Sequence, residues 1–127
     1  MSSEEKMKLV VYGTLKRGYH NNRNWLSNAK FLKEVTVPGY KLKYSSGTSG
    51  FPVAFPSEND SIRGEMFEVS PADILGTDRL EANGYMYDRT VVHQEEDRFF
   101  LYVGNSSFWN RREIEDCPKS DNSFIWI

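Results

Sequence analysis

The apolar positions of the chain switch several times between a two-residue and a helical period, and each switch marks an element. Lys8-Leu9-Val10-Val11-Tyr12 is an apolar, β-branched run that stops at Gly13, the pattern of a buried strand feeding a loop. Trp25, Leu26, Ala29 and Phe31 then recur near helical spacing, with Asn21 or Asn22 placed to cap the helix they predict. Residues 35–37 and 40–44 are strand material interrupted at Pro38-Gly39, a dipeptide that starts a turn or bulge. The short, proline-bounded run 51–55 predicts an edge strand or a loop. Across 62–69 the alternation is more regular. Ile62, Gly64, Met66 and Glu68 share one face, Arg63, Glu65, Phe67 and Val69 the other, and neither face is purely polar.

The strongest start signal follows: Ser70 as N-cap, Pro71 at the first helical position and Asp73 at the positive end of the dipole. The helix is expected to end near Asn83-Gly84. Two β-rich runs, 87–93 and 98–103, are separated by Gln94-Glu95-Glu96-Asp97 and predict a hairpin. The remainder is irregular until Phe124-Ile125-Trp126-Ile127. Nothing repeats at a fixed period and the longest low-complexity stretch is the Ser/Gly patch 45–50, so one domain over residues 1–127 is expected.

Composition narrows the function classes. With 39% hydrophobic and 14% aromatic residues the chain can pack an interior, which excludes global disorder. Sixteen Lys+Arg against eighteen Asp+Glu leave a net charge of −2, so no positive field points to nucleic acid or anionic lipid as a partner. The apolar runs 9–12 and 124–127 are far below the roughly 20 residues that span a bilayer. Ser2-Ser3-Glu4-Glu5-Lys6 is not a secretory leader, and the cytoplasm is the expected location. The single cysteine, Cys117, lies between Asp116 and Pro118, where an acidic neighbour raises a thiol pKa; it reads as a bystander. Asn105-Ser106-Ser107 forms a glycosylation sequon that would matter only in a secreted protein.

Among candidate chemical groups one carboxylate stands out. At about 100° per residue, Glu81 projects only about 20° away from Ile74, with Leu75 and Leu80 flanking that direction. An inward Glu is desolvated as an anion and its pKa rises, which makes it a base near neutrality. The alternative is a structural one, in which Glu81 escapes to water at the last helical turn or pairs with Arg79 or Arg89. Tyr12-Gly13-Thr14-Leu15-Lys16-Arg17-Gly18 is the second feature, a strand-to-loop junction whose amides could cradle an anion or simply form a glycine turn. Its G-x-x-x-x-G spacing is that of a phosphate loop, yet Tyr19-His20 replaces the Lys-Ser/Thr pair, so nucleotide binding is disfavoured. His20 and His93 are too isolated for a metal site and no covalent nucleophile has a partnering base, so no metal or cofactor is expected. Tyr85, Tyr87 and Tyr102 read as core residues with a wet hydroxyl, Tyr87 and Tyr102 doubling as possible pocket walls.

Taken in order, Val11-Tyr12-Gly13-Thr14-Leu15-Lys16-Arg17-Gly18, Gly64-Glu65-Met66-Phe67-Glu68-Val69, Asp78-Arg79-Leu80-Glu81 and Tyr87-Asp88-Arg89 resemble the gamma-glutamylcyclotransferase-like family, over residues 8–103. The Tyr-Gly-Thr-Leu-Lys form and the short chain are closer to its gamma-glutamylamine cyclotransferase branch than to the glutathione-degrading one. The resemblance implies an α+β fold, a small mixed β-barrel with flanking helices. It also implies Glu81 as catalytic acid/base and Tyr12, Gly13, Thr14 and Leu15 as the loop that holds the glutamyl end of a small-molecule substrate. Thr77 departs from the family's leucine, and Ala82-Asn83 separates Glu81 from Gly84. The implied reaction is attack of a gamma-glutamyl α-amine on its own side-chain amide, giving 5-oxoproline and a free amine without metal or nucleotide. A non-catalytic small-molecule or protein-binding module on the same fold is the competing class. An inward Glu81 argues against it, because a binding pocket has no need of a costly buried carboxylate.

Overall fold

The computed structural model describes residues 6–44, 52–110 and 112–126. Strand β1 (Met7–Val11) is the apolar run expected first, and it ends at Tyr12-Gly13. Helix α1 (His20–Trp25) leads to the long β2 (Lys30–Tyr44) and β3 (Pro52–Val69). Helix α2 (Pro71–Leu80) is followed by the hairpin β4 (Tyr87–Gln94) and β5 (Asp97–Gly104). The one-turn helix α3 (Ser106–Trp109) and the two-residue strands β6 (Glu115–Asp116), β7 (Lys119–Ser120) and β8 (Ser123–Phe124) complete the chain.

The strands hydrogen-bond in the order β4-β5-β1-β3-β2-β6, and β8 joins β3 through a parallel bridge from Phe124 to Ile62. Strand β1 runs antiparallel to β3 and parallel to β5, so the sheet is mixed. It curls into a half-barrel, and Gln94 of β4 reaches across to donate to the Thr36 carbonyl of β2 at 2.9 Å. The α+β class and the curled mixed sheet are those expected. Both faces of β1 are covered: Val10 and Tyr12 face an interior with Val37, Leu42, Ile62, Met66 and Leu101, while Leu9 and Val11 pack with Leu26, Phe67, Val69 and Ile74. A strand buried on both faces cannot alternate with polar residues, which is why 9–11 is continuously apolar.

Capping of α2 follows the sequence closely. Ser70 Oγ accepts from the Asp73 amide at 3.2 Å while the Asp73 carboxylate accepts from the Ser70 amide at 3.0 Å, a complete capping box. Elsewhere the structure corrects the pattern. Helix α1 stops at Trp25, its N-cap is Tyr19 without a side-chain bond, and Phe31 belongs to β2. Asn21 and Asn22 are not caps; their amide groups donate to Thr14 Oγ1 at 2.8 Å and to the Leu15 carbonyl at 2.7 Å. So short a helix has little stability of its own and is held by these bonds to the preceding loop. Pro38-Gly39 forms a bulge, one of its two expected outcomes, with Gly39 at φ +92, and β2 runs on through it.

Residues 52–55 are neither a loop nor a separate edge strand; they begin β3 and pair with residues 41–44 of β2. The two prolines are tolerated because Pro52 opens the strand and Pro56 lies opposite Tyr40, beside the bulge. Leu75, expected on the inward face of α2, is 65% exposed, and the buried positions are Ile74 and Thr77. The irregular tail contains the brief pairings β6 to β8. The Ser/Gly patch 45–50, Phe51 and Ile127 lie outside the described residues. Among the described residues no helix is long and apolar enough to cross a membrane.

At Gly64 strands β1 and β3 approach closely: a Cβ there would lie 2.8 Å from both Val10 Cγ1 and the Val11 carbonyl oxygen. Gly64→Ala is therefore expected to lower stability by about 1–3 kcal/mol, read as a lower urea midpoint at unchanged slope.

Candidate active site

Beyond Val11 strand β1 leaves its neighbours, and the gap it opens is the pocket. The Tyr12 ring turns into the interior, and its hydroxyl donates to the Tyr102 carbonyl of β5 at 2.7 Å while accepting from the Ala54 amide of β3 at 3.2 Å. One side chain thus satisfies two backbone groups where the strands part. Burial and the nearby Tyr87 and Glu81 push the Tyr12 phenol well above its usual value, so it stays a neutral donor.

The following loop is fixed from several sides. Lys16 donates its amide to the Gly13 carbonyl at 3.0 Å, and the Arg17 amide donates to Glu65 Oε1 at 2.8 Å. Asn21 and Asn22 hold Thr14 and Leu15 from α1. Gly13 is required by contact: a Cβ there would lie 2.5 Å from Pro52 Cγ. Among the described residues no acceptor takes the amides of Gly13, Thr14 or Leu15.

Glu81 arrives from the opposite side, as the C-cap of α2. The helix closes in a Schellman motif, with the Ala82 amide donating to the Arg79 carbonyl at 3.2 Å and the Asn83 amide to the Asp78 carbonyl at 2.9 Å. Ala82 occupies the left-handed position at φ 50, where glycine is usual, at a cost of about 1–2 kcal/mol. Arg89 pairs with Asp78 at 2.8 Å, and Asp78 also accepts from the Tyr102 hydroxyl at 2.7 Å. The departure at Thr77 has a partner too, its Oγ1 lying 2.8 Å from the Tyr102 hydroxyl. Arg89 is thereby occupied, and among the described residues no ion pair or hydrogen bond reaches the Glu81 carboxylate. Burial alone pushes its pKa up to about 7.

Val10, Val11, Tyr12, Gly13, Thr14, Leu15, Pro52, Glu81, Tyr87 and Tyr102 line one pocket. All five residues singled out from the sequence, Glu81 and Tyr12, Gly13, Thr14 and Leu15, meet there. Tyr87 and Tyr102 form a wall, whereas Tyr85 is 66% exposed and takes no part. Pro52, which closes over Gly13, carried no sequence signal. Tyr87 donates to the Pro52 carbonyl at 2.9 Å, which fixes that closure. Cys117 is buried away from the pocket lining, and burial followed by Asp116 pushes its thiol up to about 12. No group of three or more potential metal ligands occurs among the described residues.

One pocket of the half-barrel thus brings the Glu81 carboxyl and the Gly13–Leu15 loop together. Residues 9–122 match the family described as gamma-glutamyl cyclotransferase, AIG2-like. The Escherichia coli (strain K12) protein YtfP, a gamma-glutamylcyclotransferase family protein, is 31% identical over 97 residues, which cover 76% of this chain and 81% of its own. An aig2-like protein from Mus musculus has a similar structure, with a TM-score of 0.69 at 25% identity over 92% of this chain and 90% of its own. Allophanate hydrolase of Kluyveromyces lactis shares the fold, at TM-score 0.73 and 16% identity, over 94% of this chain and 20% of its own. The chain belongs to the gamma-glutamylcyclotransferase family and is an enzyme of that class.

Two stability measurements check the geometry. Tyr12→Phe leaves the Ala54 amide and the Tyr102 carbonyl without their shared partner and is expected to cost about 1–3 kcal/mol in denaturant unfolding. Burial pushes the Glu81 carboxyl from its ordinary 4.5 up to about 7 in the native chain. Between those values the native state holds a proton that the unfolded state has lost, so stability falls as pH rises through the window and stays lower above it. Glu81→Gln is therefore expected to exceed wild type by on the order of 3 kcal/mol at pH 8 and to match it at pH 4.

Proposed function

We propose that this enzyme cyclises the gamma-glutamyl group of a gamma-glutamylamine to 5-oxoproline and releases the amine, with Glu81 as the general acid/base. The observation that supports the reading is a carboxyl with its pKa pushed up to about 7 by burial, which lines one pocket with Gly13, Thr14 and Leu15 and has no ion-pair or hydrogen-bond partner among the described residues. An α-ammonium titrates near ~7.7–8.0, so proton transfer from it to such a carboxylate is nearly balanced at neutral pH.

The chemistry follows from that match. The Glu81 carboxylate takes a proton from the α-ammonium, and the freed amine attacks the side-chain amide carbonyl of the same molecule. A five-membered lactam forms through a tetrahedral intermediate, the amide C–N bond breaks, and the Glu81 carboxyl returns its proton to the leaving amine, which also receives the second proton shed by the ring nitrogen and departs as an ammonium. Bonds and protons balance with no further reactant. Because nucleophile and electrophile share one molecule, the pocket's task is to hold the substrate folded, an arrangement that in general reaches effective molarities of about 10⁵–10⁸ M. Amides of the Gly13–Leu15 stretch are suited to the α-carboxylate or the developing oxyanion. The protonated phenols of Tyr12 and Tyr87 are spent on the Tyr102 and Pro52 carbonyls, which supports Glu81 as the group that exchanges protons.

The test is a screen for 5-oxoproline from gamma-glutamylamines such as gamma-glutamyl-ε-lysine, gamma-glutamyl dipeptides and glutathione, with chelator and without nucleotide. Gamma-glutamylamines are expected to be the best substrates; glutathione as the best would reassign the branch, and no product from any of them would favour a binding module. In parallel, Glu81→Gln is expected to fold, to keep KM near wild type and to lose about 10²–10⁴-fold in kcat. The wild-type rate should rise as pH passes about 7, and that rise should be absent in the variant. Full activity in folded Glu81→Gln would end the mechanism.

A further inference from the structure

The loop that carries Gly13, Thr14 and Leu15 has an outer side, and the C-terminal segment covers it. Lys16 Nζ donates to the Trp126 carbonyl at 2.6 Å, and the Trp126 ring lies against Tyr19 with centroids 5.3 Å apart. Lys16 Nζ is also 5.9 Å from the Tyr19 ring centroid, so ammonium, phenol ring and indole form one contact unit. Partial burial there lowers the Lys16 pKa, a sign that its ammonium has left bulk water for this contact.

The segment is itself anchored, which makes the Trp126 carbonyl a fixed acceptor. Phe124 bridges to Ile62 of β3, Ser123 Oγ lies 2.7 Å from Ser61 Oγ, and the Ile125 amide donates to the Pro118 carbonyl at 2.9 Å. The loop's inner anchors, Asn21 and Asn22, come from the short helix α1, which has little stability of its own. Strand β3 thus restrains the loop from outside through the tail. None of the tail residues lines the pocket, whose nearest neighbours in sequence to Lys16 are Thr14 and Leu15.

We infer that Trp126 and Lys16 are positioning residues, which hold the Gly13–Leu15 amides in their substrate-ready geometry by strapping the loop to β3 through the C-terminal segment. The effect on substrate rests on the proposed role of that loop in holding the glutamyl end. Glu81 is held by a different element, the end of α2, so loosening the strap weakens binding and leaves the proton-transfer group in place. The signature is a change in KM without a change in kcat.

The experiment uses Trp126→Ala and Lys16→Met, with Trp126→Phe and Lys16→Arg as conservative partners. Two readouts are taken on each: steady-state kinetics with gamma-glutamyl-ε-lysine, and amide hydrogen exchange at Lys16 and Tyr19, whose amides close the loop's turns. Trp126→Ala and Lys16→Met are expected to raise KM about tenfold with kcat within about twofold, and to speed exchange at both amides about tenfold while Val10 is unaffected. The conservative partners should restore most of both effects. Unchanged loop exchange in Trp126→Ala and Lys16→Met overturns the strap, as does a fall in kcat and melting temperature with KM unmoved. If wild type itself yields no 5-oxoproline, the proposed reaction fails while loop exchange still decides the strap.

Discussion

The pocket depends on a single phenolic hydroxyl. Two buried backbone groups on different strands, the Ala54 amide of β3 and the Tyr102 carbonyl of β5, face the interior beyond the end of β1, and an unpaired buried group of this kind costs about 1–3 kcal/mol. Tyr12 meets both demands at once, accepting from Ala54 of β3 and donating to Tyr102 of β5. The sheet can therefore open without frayed edges. That opening delivers Gly13, Thr14 and Leu15 beside the cavity, and the rest of the site is arranged around it.

The second half of the site follows from how charge is distributed at the end of α2. Asp78 accepts both Arg89 and the Tyr102 hydroxyl, so Arg89 is taken one turn before Glu81. The Schellman closure then turns the chain sharply at Ala82, which fixes the backbone from which the Glu81 side chain departs. A carboxyl left unpaired and a non-glycine residue held at positive φ both oppose stability, and they are adjacent. Strain and desolvation are thus concentrated at one point of the chain.

Legibility in the sequence follows the range of the interaction. The capping box at Ser70, the β1 run and the hairpin at Glu95-Glu96 are local, and each was readable from neighbouring residues. Glu81 could be aimed inward by helical arithmetic, although Leu75, on the same arithmetic, proved exposed because the sheet covers the Ile74–Thr77 side. What failed was non-local. Apolar spacing from Trp25 to Phe31 imitated a helix, while the asparagines that seemed to cap it bind a loop several residues earlier. Residues 52–55 looked too short and too proline-rich for a core strand, yet pairing with β2 and the bulge at Gly39 absorb both prolines. Pro52 over Gly13 and Trp126 over Lys16 join residues so distant in sequence that no local period could announce them.

The two halves of the site ride on different elements. The amide loop continues β1 and is held by α1, by Glu65 and by the tail; the carboxyl ends α2 and is held by its own helix closure. They are joined through Tyr102, whose carbonyl accepts from Tyr12 on the loop side and whose hydroxyl bonds Thr77 and Asp78 on the helix side. Strand β5 thus acts as a rigid spacer between the groups that would bind a substrate and the group that would move its proton. Changes to the loop's outer supports can alter binding without moving the carboxyl, and changes at the helix end can alter proton affinity without reshaping the amides. A pocket built this way would let the bound molecule vary while the proton-transfer step stays fixed.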